Sequence, residues 1–314
     1  MRIVFFGSSH FAVPALQALI KSKHDIVCVV TQPDKQKGRH LHVLGTDVKS
    51  IAIAAGLKIF QPENIKSKES LNLLEKLDAD LFVIVAYGQI LSQSVLDIPK
   101  IMPVNLHASL LPRYRGAAPI NWAIINGDKK TGLTIIYVTL KMDSGPVIMQ
   151  KEIVIDDNDT SVSLEEKMRK LGAQLLTQAL TNIDNRDYRL VDQDEDKVIL
   201  APKLKKEIGL IDWNTCAINI HNQIRGVLPW PGAFTSYNRK LLKIFQAEVV
   251  TVFPNHKMQP GEVARVDKEA IIVACSRGFL KINELQLEAG KRMSAQNFII
   301  GHKLAAGEIL GRST

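Results

Sequence analysis

The apolar positions of this chain fall into short solid blocks separated by longer, interrupted stripes. Residues 2–7 (Arg-Ile-Val-Phe-Phe-Gly) form one block, closed by Gly7, and 25–31 and 80–86 form two more. Strands buried on both faces of a parallel sheet need such runs, rich in β-branched residues. Between the blocks the apolar residues recur at helical spacing, over about 14–21, over 47–56, and again at Leu71, Leu74 and Leu77; residues 57–60 read as a short strand. Strands alternating with helices predict an α/β fold with a doubly wound parallel sheet, in which ligands sit outside the carboxyl ends of the strands. Residues 161–180 predict a helix, with Ser163 and Glu166 fitting a capping box. Leu164, Met168, Leu171, Leu175 and Ala179 form its apolar stripe. A polar stretch follows from Asn182 to Lys197. Beyond it a short helix over about 215–226 precedes four strand-like runs, 241–250, 262–266, 270–275 and 279–287, which suggest a small β-rich domain or barrel. The expected organisation is a first domain over 1–188, a linker over 189–204 and a second domain over 205–314.

Composition narrows the class. With 314 residues, 46% of them hydrophobic, the chain can bury one large core and one small one. No apolar run approaches the ~18 residues of a membrane helix. The opening segment fits neither a signal peptide nor an organelle presequence. Cys28, Cys216 and Cys275 are odd in number, far apart and without metal-ligand spacing, so they read as reduced thiols of a cytoplasmic protein that holds no metal. The first strand-to-helix turn, Gly7-Ser8-Ser9-His10-Phe11-Ala12, is not a G-x-G-x-x-G fingerprint, and no Walker-type phosphate loop occurs, so no dinucleotide is expected. The net charge of +8 is unevenly placed: residues 201–314 carry 16 Lys+Arg against 9 Asp+Glu, leaving the first 200 residues nearly neutral. A basic second part suits a polyanionic partner. The bland reading is a basic surface kept for solubility. Residues 32–46 form a polar, basic loop, long for a βα connection of ~2–6 residues.

The chemistry concentrates in residues 103–120, Pro-Val-Asn-Leu-His-Ala-Ser-Leu-Leu-Pro-Arg-Tyr-Arg-Gly-Ala-Ala-Pro-Ile. If 103–108 is a strand, Asn105 and His107 project from one face, so an amide and an imidazole stand together near a carboxyl end. A lone histidine there is more often structural. The pair, followed at once by a loop broken by Pro and Gly, favours a site. Asp143 falls in a turn, Lys141-Met-Asp-Ser-Gly-Pro146, between two strand-like runs; alone, Asp-Ser-Gly is an ordinary turn.

Taken together, Asn105-x-His107, Ser109-Leu-Leu-Pro112, Gly132-x-Thr134, Asp143-x-Gly145 and the opening Ile3-Val-Phe-Phe-Gly7 resemble the formyltransferases that use 10-formyltetrahydrofolate. The fuller string from His107 to Pro119, and Trp230-Pro-Gly-Ala-Phe234, are most similar to the branch that acts on methionyl-tRNA. The resemblance spans essentially the whole chain. It implies a Rossmann-like domain followed by an OB-like barrel. Asn105, His107 and Asp143 would be catalytic, and Ser109, Leu110, Leu111 and Pro112 would be the folate-binding loop. The donor would be 10-formyltetrahydrofolate and the partner a charged initiator tRNA, served by a monomer without a membrane. Arg39 matches a loop residue that touches tRNA, but His40-Leu-His-Val-Leu-Gly-Thr46 departs from the family's lysine-rich continuation. Two alternatives stand beside this reading: a folate-dependent formyltransferase for a small amine such as an amino-sugar nucleotide, and a non-catalytic RNA-binding protein.

Overall fold

The computed structural model describes the backbone of residues 1–37, 42–250, 258–268 and 270–311, and the side chains of these apart from 35–37 and 42–44. Of the basic loop over 32–46, residues 38–41, Arg39 among them, lie outside the described residues. The chain forms two compact units. One comprises residues 1–119, 130–154 and 165–201, the other 120–129, 155–164 and 202–314.

The first unit is built on β1 (Arg2–Gly7), β2 (Asp25–Val30), a short hairpin of β3 (Lys35–Lys37) and β4 (His42–Leu44), β5 (Ile59–Phe60), β6 (Leu81–Val85), β7 (Met102–His107), β8 (Arg115–Gly116), β9 (Lys130–Tyr137), β10 (Val147–Val154) and β11 (Leu200–Ala201). The helices are α1 (Val13–Ile20), α2 (Asp47–Ala54), α3 (Lys68–Glu75), α4 (Gln93–Leu96), α5 (Pro119–Ile125) and α6 (Ser161–Asp184), the last two running from one unit into the other. The main sheet has the order β10-β9-β7-β6-β1-β2-β5. Its strands β5, β2, β1, β6 and β7 are parallel, as the solid apolar blocks predict. Ile3, Val4, Phe5 and Phe6 of β1 are fully buried, each contributing about 1.5–3 kcal/mol of apolar burial. The order reverses at β1, so the crevice between the carboxyl ends of β1 and β6 is the switch point where such sheets take ligands. The sheet is then extended by two strands that break the parallel pattern. β9 runs antiparallel to β7, and β10 antiparallel to β9. Only residues 138–146 join β9 to β10, too few for the crossover that a parallel pair requires.

Helix starts follow local chemistry. Thr46 caps α2 by accepting from the Lys49 amide at 3.1 Å, and Ser67 caps α3 by accepting from Ser70 at 3.2 Å. The capping box of α6 is not Ser163 with Glu166. Thr160 and Ser163 satisfy each other's amides at 3.1 and 3.0 Å, while Glu166 pairs with Arg169 and Lys170 one turn on. The buried stripe of α6 is wider than the five residues expected, taking in Leu176, Leu180 and Ile183.

The second unit adds α7 (Ala217–Gly226), β12 (Ala233–Tyr237), β13 (Lys240–Val250), β14 (Val263–Val266), β15 (Ile271–Ala274), β16 (Phe279–Leu287), β17 (Met293–Ser294) and α8 (Ala295–Gly301). Its sheet, of order β12-β13-β16-β15-β14 with β17 on β16, is antiparallel throughout. Ile220, Ile224 and Val227 share one core with Leu242, Ile244, Leu280, Ile282 and Phe298. Two segments from earlier in the chain belong here as well. The Asn121 amide donates to the Gly226 carbonyl at 2.7 Å, Ile125 packs on the core, and Ser161 donates to the Leu228 carbonyl. Burial pushes the Cys28 thiol up to about 11 and the Cys275 thiol up to about 12, so neither is a ready thiolate. Among the described residues no helix is long and apolar enough to cross a membrane.

Candidate active site

β7 ends at the carboxyl edge of the sheet, carrying His107 as its last residue and Asn105 two before it. His107 is buried, whereas Asn105 is only half-buried, so the amide keeps a side open to solvent. The His107 ring is held from both sides. Its Nε2 lies 2.9 Å from the Tyr114 carbonyl oxygen. A carbonyl only accepts, so Nε2 carries the hydrogen and the tautomer is fixed. Nδ1 then faces the carboxylate of Asp143, 3.7 Å from Oδ2. That separation is ion-pair range but longer than a hydrogen bond.

Asp143 reaches this position from a turn 36 residues beyond His107 along the chain. Its backbone has φ +50°, uncommon for a residue other than glycine. The Gly116 amide donates to Oδ2 at 2.9 Å, aiming the carboxylate. Gly145 is required two residues on, because a Cβ there would stand 1.8 Å from the Tyr137 carbonyl oxygen. The Asp-x-Gly pattern is therefore a carboxylate plus the close approach that folds its turn. The expected catalytic set, Asn105, His107 and Asp143, is brought to one edge of the first unit.

The Ser109–Pro112 loop leaves β7 directly after the histidine. Ser109 is fully buried, and its hydroxyl donates to the Arg113 carbonyl at 2.6 Å. Thr134 of β9 clamps the loop by donating to the Ser109 carbonyl at 2.6 Å and accepting from the Leu111 amide at 3.1 Å. Gln150 adds a bond to the Leu111 carbonyl at 2.8 Å. At Gly132 a Cβ would meet the Leu110 side chain at 2.4 Å, so the Gly-x-Thr pair of β9 is what seats this loop. Leu110 to Arg113 line one side of a cavity of about 430 Å³, with Asp196 to Ile199 on the other. Asn105, His107 and Asp143 are not among its lining residues.

The second wall was not expected from sequence. The polar stretch read as linker runs along the first unit. Val191 pairs with Val147, and Leu200 and Ala201 pair with Arg115 and Gly116. Arg115 is buried and donates to Gln193 at 3.0 Å and to Glu195 at 2.8 Å. Hydrogen bonds from Arg115 and from Lys141 depress the Glu195 carboxyl to about 2. No pattern of spacing marks Tyr114, Arg115 or Gln193: Tyr114 acts through its backbone carbonyl, Arg115 through side chains 78 and 80 residues away, and Gln193 through the backbone of a turn 48 and 50 residues away.

The chain belongs to the formyl transferase family: residues 1–180 match the model for formyl transferase, and 203–303 match that for the formyl transferase C-terminal domain. Its relatives include the methionyl-tRNA formyltransferase of Acetivibrio thermocellus, 42% identical over 99% of this chain and 100% of that protein. Another is the methionyl-tRNA formyltransferase of Citrifermentans bemidjiense, 43% identical over 99% of this chain and 97% of that one. The fold is shared with an N-formyltransferase from Helicobacter canadensis solved with folinic acid and dTDP-3-aminofucose, at TM-score 0.66 and 19% identity over 93% of this chain and 99% of that one.

Proposed function

We propose that this protein transfers the formyl group of 10-formyltetrahydrofolate to the amino group of methionine on initiator methionyl-tRNA, for translation initiation in the cytoplasm. The observation that carries the reading is the convergence of Asn105, His107 and Asp143 at the carboxyl edge of the sheet, in a chain that matches methionyl-tRNA formyltransferases end to end. In the reaction the acceptor nitrogen bonds to the formyl carbon, and the bond from that carbon to the folate nitrogen breaks. Charge gathers on the former carbonyl oxygen between the two events. The half-open Asn105 amide is suited to donate to that oxygen, an interaction of about 2.7–4 kcal/mol in the transition state. The attacking amine must lose a proton and the folate nitrogen must gain one. With Nε2–H held by Tyr114, the Nδ1 face of His107 and the Asp143 carboxylate are the groups placed to pass it, once the 3.7 Å gap closes or a solvent molecule spans it.

Ser109, Leu110, Leu111 and Pro112 serve the folate. Two leucines and a proline form an apolar wall for a flat pterin, and backbone groups of the clamped loop read its edge. Residues 1–188 act as the catalytic domain, and the basic stretch 205–314, with Arg39 of the long loop, holds the tRNA. The protein works as a monomer in this scheme. Isothermal calorimetry against 5-formyltetrahydrofolate, NAD and ATP checks the donor half: binding of the folate and none of the nucleotides is expected, and tight nucleotide binding without folate binding overturns it.

A further inference from the structure

We propose that Gln193 is a positioning residue for the transfer reaction: gripped by Arg115, it fixes the backbone of the Asp143–Gly145 turn and so keeps the Asp143 carboxylate facing His107. This rests on the reading that Asp143 and His107 carry the proton transfer. In residues 191–197, Gln193 alone is half-buried, while the six around it are exposed. Its amide is polarised by its surroundings. Arg115 Nε donates to Gln193 Oε1 at 3.0 Å, and a guanidinium can only donate. The amide nitrogen must therefore point the other way, where it donates to the Asp143 carbonyl at 2.8 Å and to the Gly145 carbonyl at 2.7 Å. The position asks for one acceptor and two donors in a single flat group. Glutamine meets that; glutamate offers no donors in its ionised form, and leucine neither donor nor acceptor.

The grip is anchored in turn. Arg115 is 4% exposed, and its other bond goes to Glu195, which Lys141 also holds at 2.9 Å. Lys141 belongs to the same turn as Asp143, so the strap from 193 to 195 fastens that turn at both sides. The neighbouring Gly116 amide completes the arrangement by binding the carboxylate itself. Two bonds to the turn's backbone and one to its side chain hold a residue whose φ of +50° is otherwise seldom occupied.

The experiment uses the full chain with Gln193→Glu, Gln193→Leu and Glu195→Ala, each read for kcat, for KM towards both substrates, and for the midpoint of thermal unfolding. Loss of alignment at the proton-transfer pair lowers kcat by about 10²-fold in the Gln193 variants, because a misplacement near 1 Å costs that much. KM for folate and tRNA stays within about threefold, since the bonds of the Gln193 side chain go to Arg115 and the Asp143–Gly145 turn. A role limited to stability would lower the unfolding midpoint and leave kcat per folded molecule intact, and that result overturns the proposal. If the Gln193 variants do not fold, Glu195→Ala on its exposed side chain decides: a several-fold fall in kcat at constant KM supports the strap, and an unchanged kcat sinks it. Asp143→Ala is run beside them. An inactive Asp143→Ala with a fully active Gln193→Glu removes the positioning role alone, whereas a fully active Asp143→Ala removes the site reading and this proposal with it.

Discussion

Replacing His107 or Asp143 by alanine is expected to cut turnover by about 10²–10⁴-fold, the usual share of a proton-transfer group, and Asn105→Ala by about 10²–10³-fold, the share of an oxyanion donor, while the protein stays folded. The three losses have different causes. Asn105→Ala removes a donor to the developing oxyanion, and because that donor acts most strongly in the transition state, kcat falls and KM moves little. His107→Ala empties the ring position between Tyr114 and Asp143. Asp143→Ala keeps the ring but leaves the Gly116 amide and Nδ1 without their carboxylate. Since histidine and aspartate act as one unit, the double variant should be little worse than the poorer single one. Steady-state kinetics on the three single variants and the double, with circular dichroism to confirm folding, checks this. Full activity in Asp143→Ala contradicts the proposed proton route, and multiplicative losses in the double variant contradict the coupling.

A second large effect is expected from salt. The net charge of +7 over residues 201–314 points to a surface that neutralises phosphates. Each neutralised duplex phosphate releases counterions, so log affinity falls with log salt by roughly 0.9 per phosphate. Binding of methionyl-tRNA should weaken several-fold or more as salt rises from about 50 to about 200 mM. Binding of the folate donor should change far less. Fluorescence titrations of both ligands across that range give the two slopes. Cutting the chain at residue 204 is a poorer test, because residues 120–129 and 155–164 belong to the second unit and would lose their core. A flat tRNA slope means that the basic stretch is not the clamp.

The parallel half of the sheet was legible because its strands are apolar on both faces, a pattern that survives without tertiary information. The pair Asn105 and His107 was legible for the same local reason, alternation along one strand. Asp143 could be singled out only through the family pattern, since a carboxylate in a turn is common. What stayed hidden depends on contacts across long stretches of chain. β9 pairs antiparallel with β7 across residues 108–129, and neither strand's own pattern shows that pairing. Segments 120–129 and 155–164 lie in the middle of the first domain by sequence, yet they pack into the second unit, and no local feature announces it. Thr160 rather than Ser163 starts α6, because two hydroxyl residues three apart cap as well as the serine–glutamate pair. The strap through Gln193 and Glu195 reads as linker because its polar side chains are what a linker would show. Their partners, Arg115 and the Asp143 turn, lie at least 48 residues away.

The most direct measurement is formyl transfer from 10-formyltetrahydrofolate to three competing amines: methionyl-tRNA, an amino-sugar nucleotide and glycinamide ribonucleotide. Comparing kcat/KM ranks the acceptors by their transition-state binding. Efficient formylation of methionyl-tRNA is expected, abolished by His107→Ala, with the two small amines slower by orders of magnitude. Preference for either small amine, or no transfer to any of the three by a protein that still binds tRNA, would contradict it.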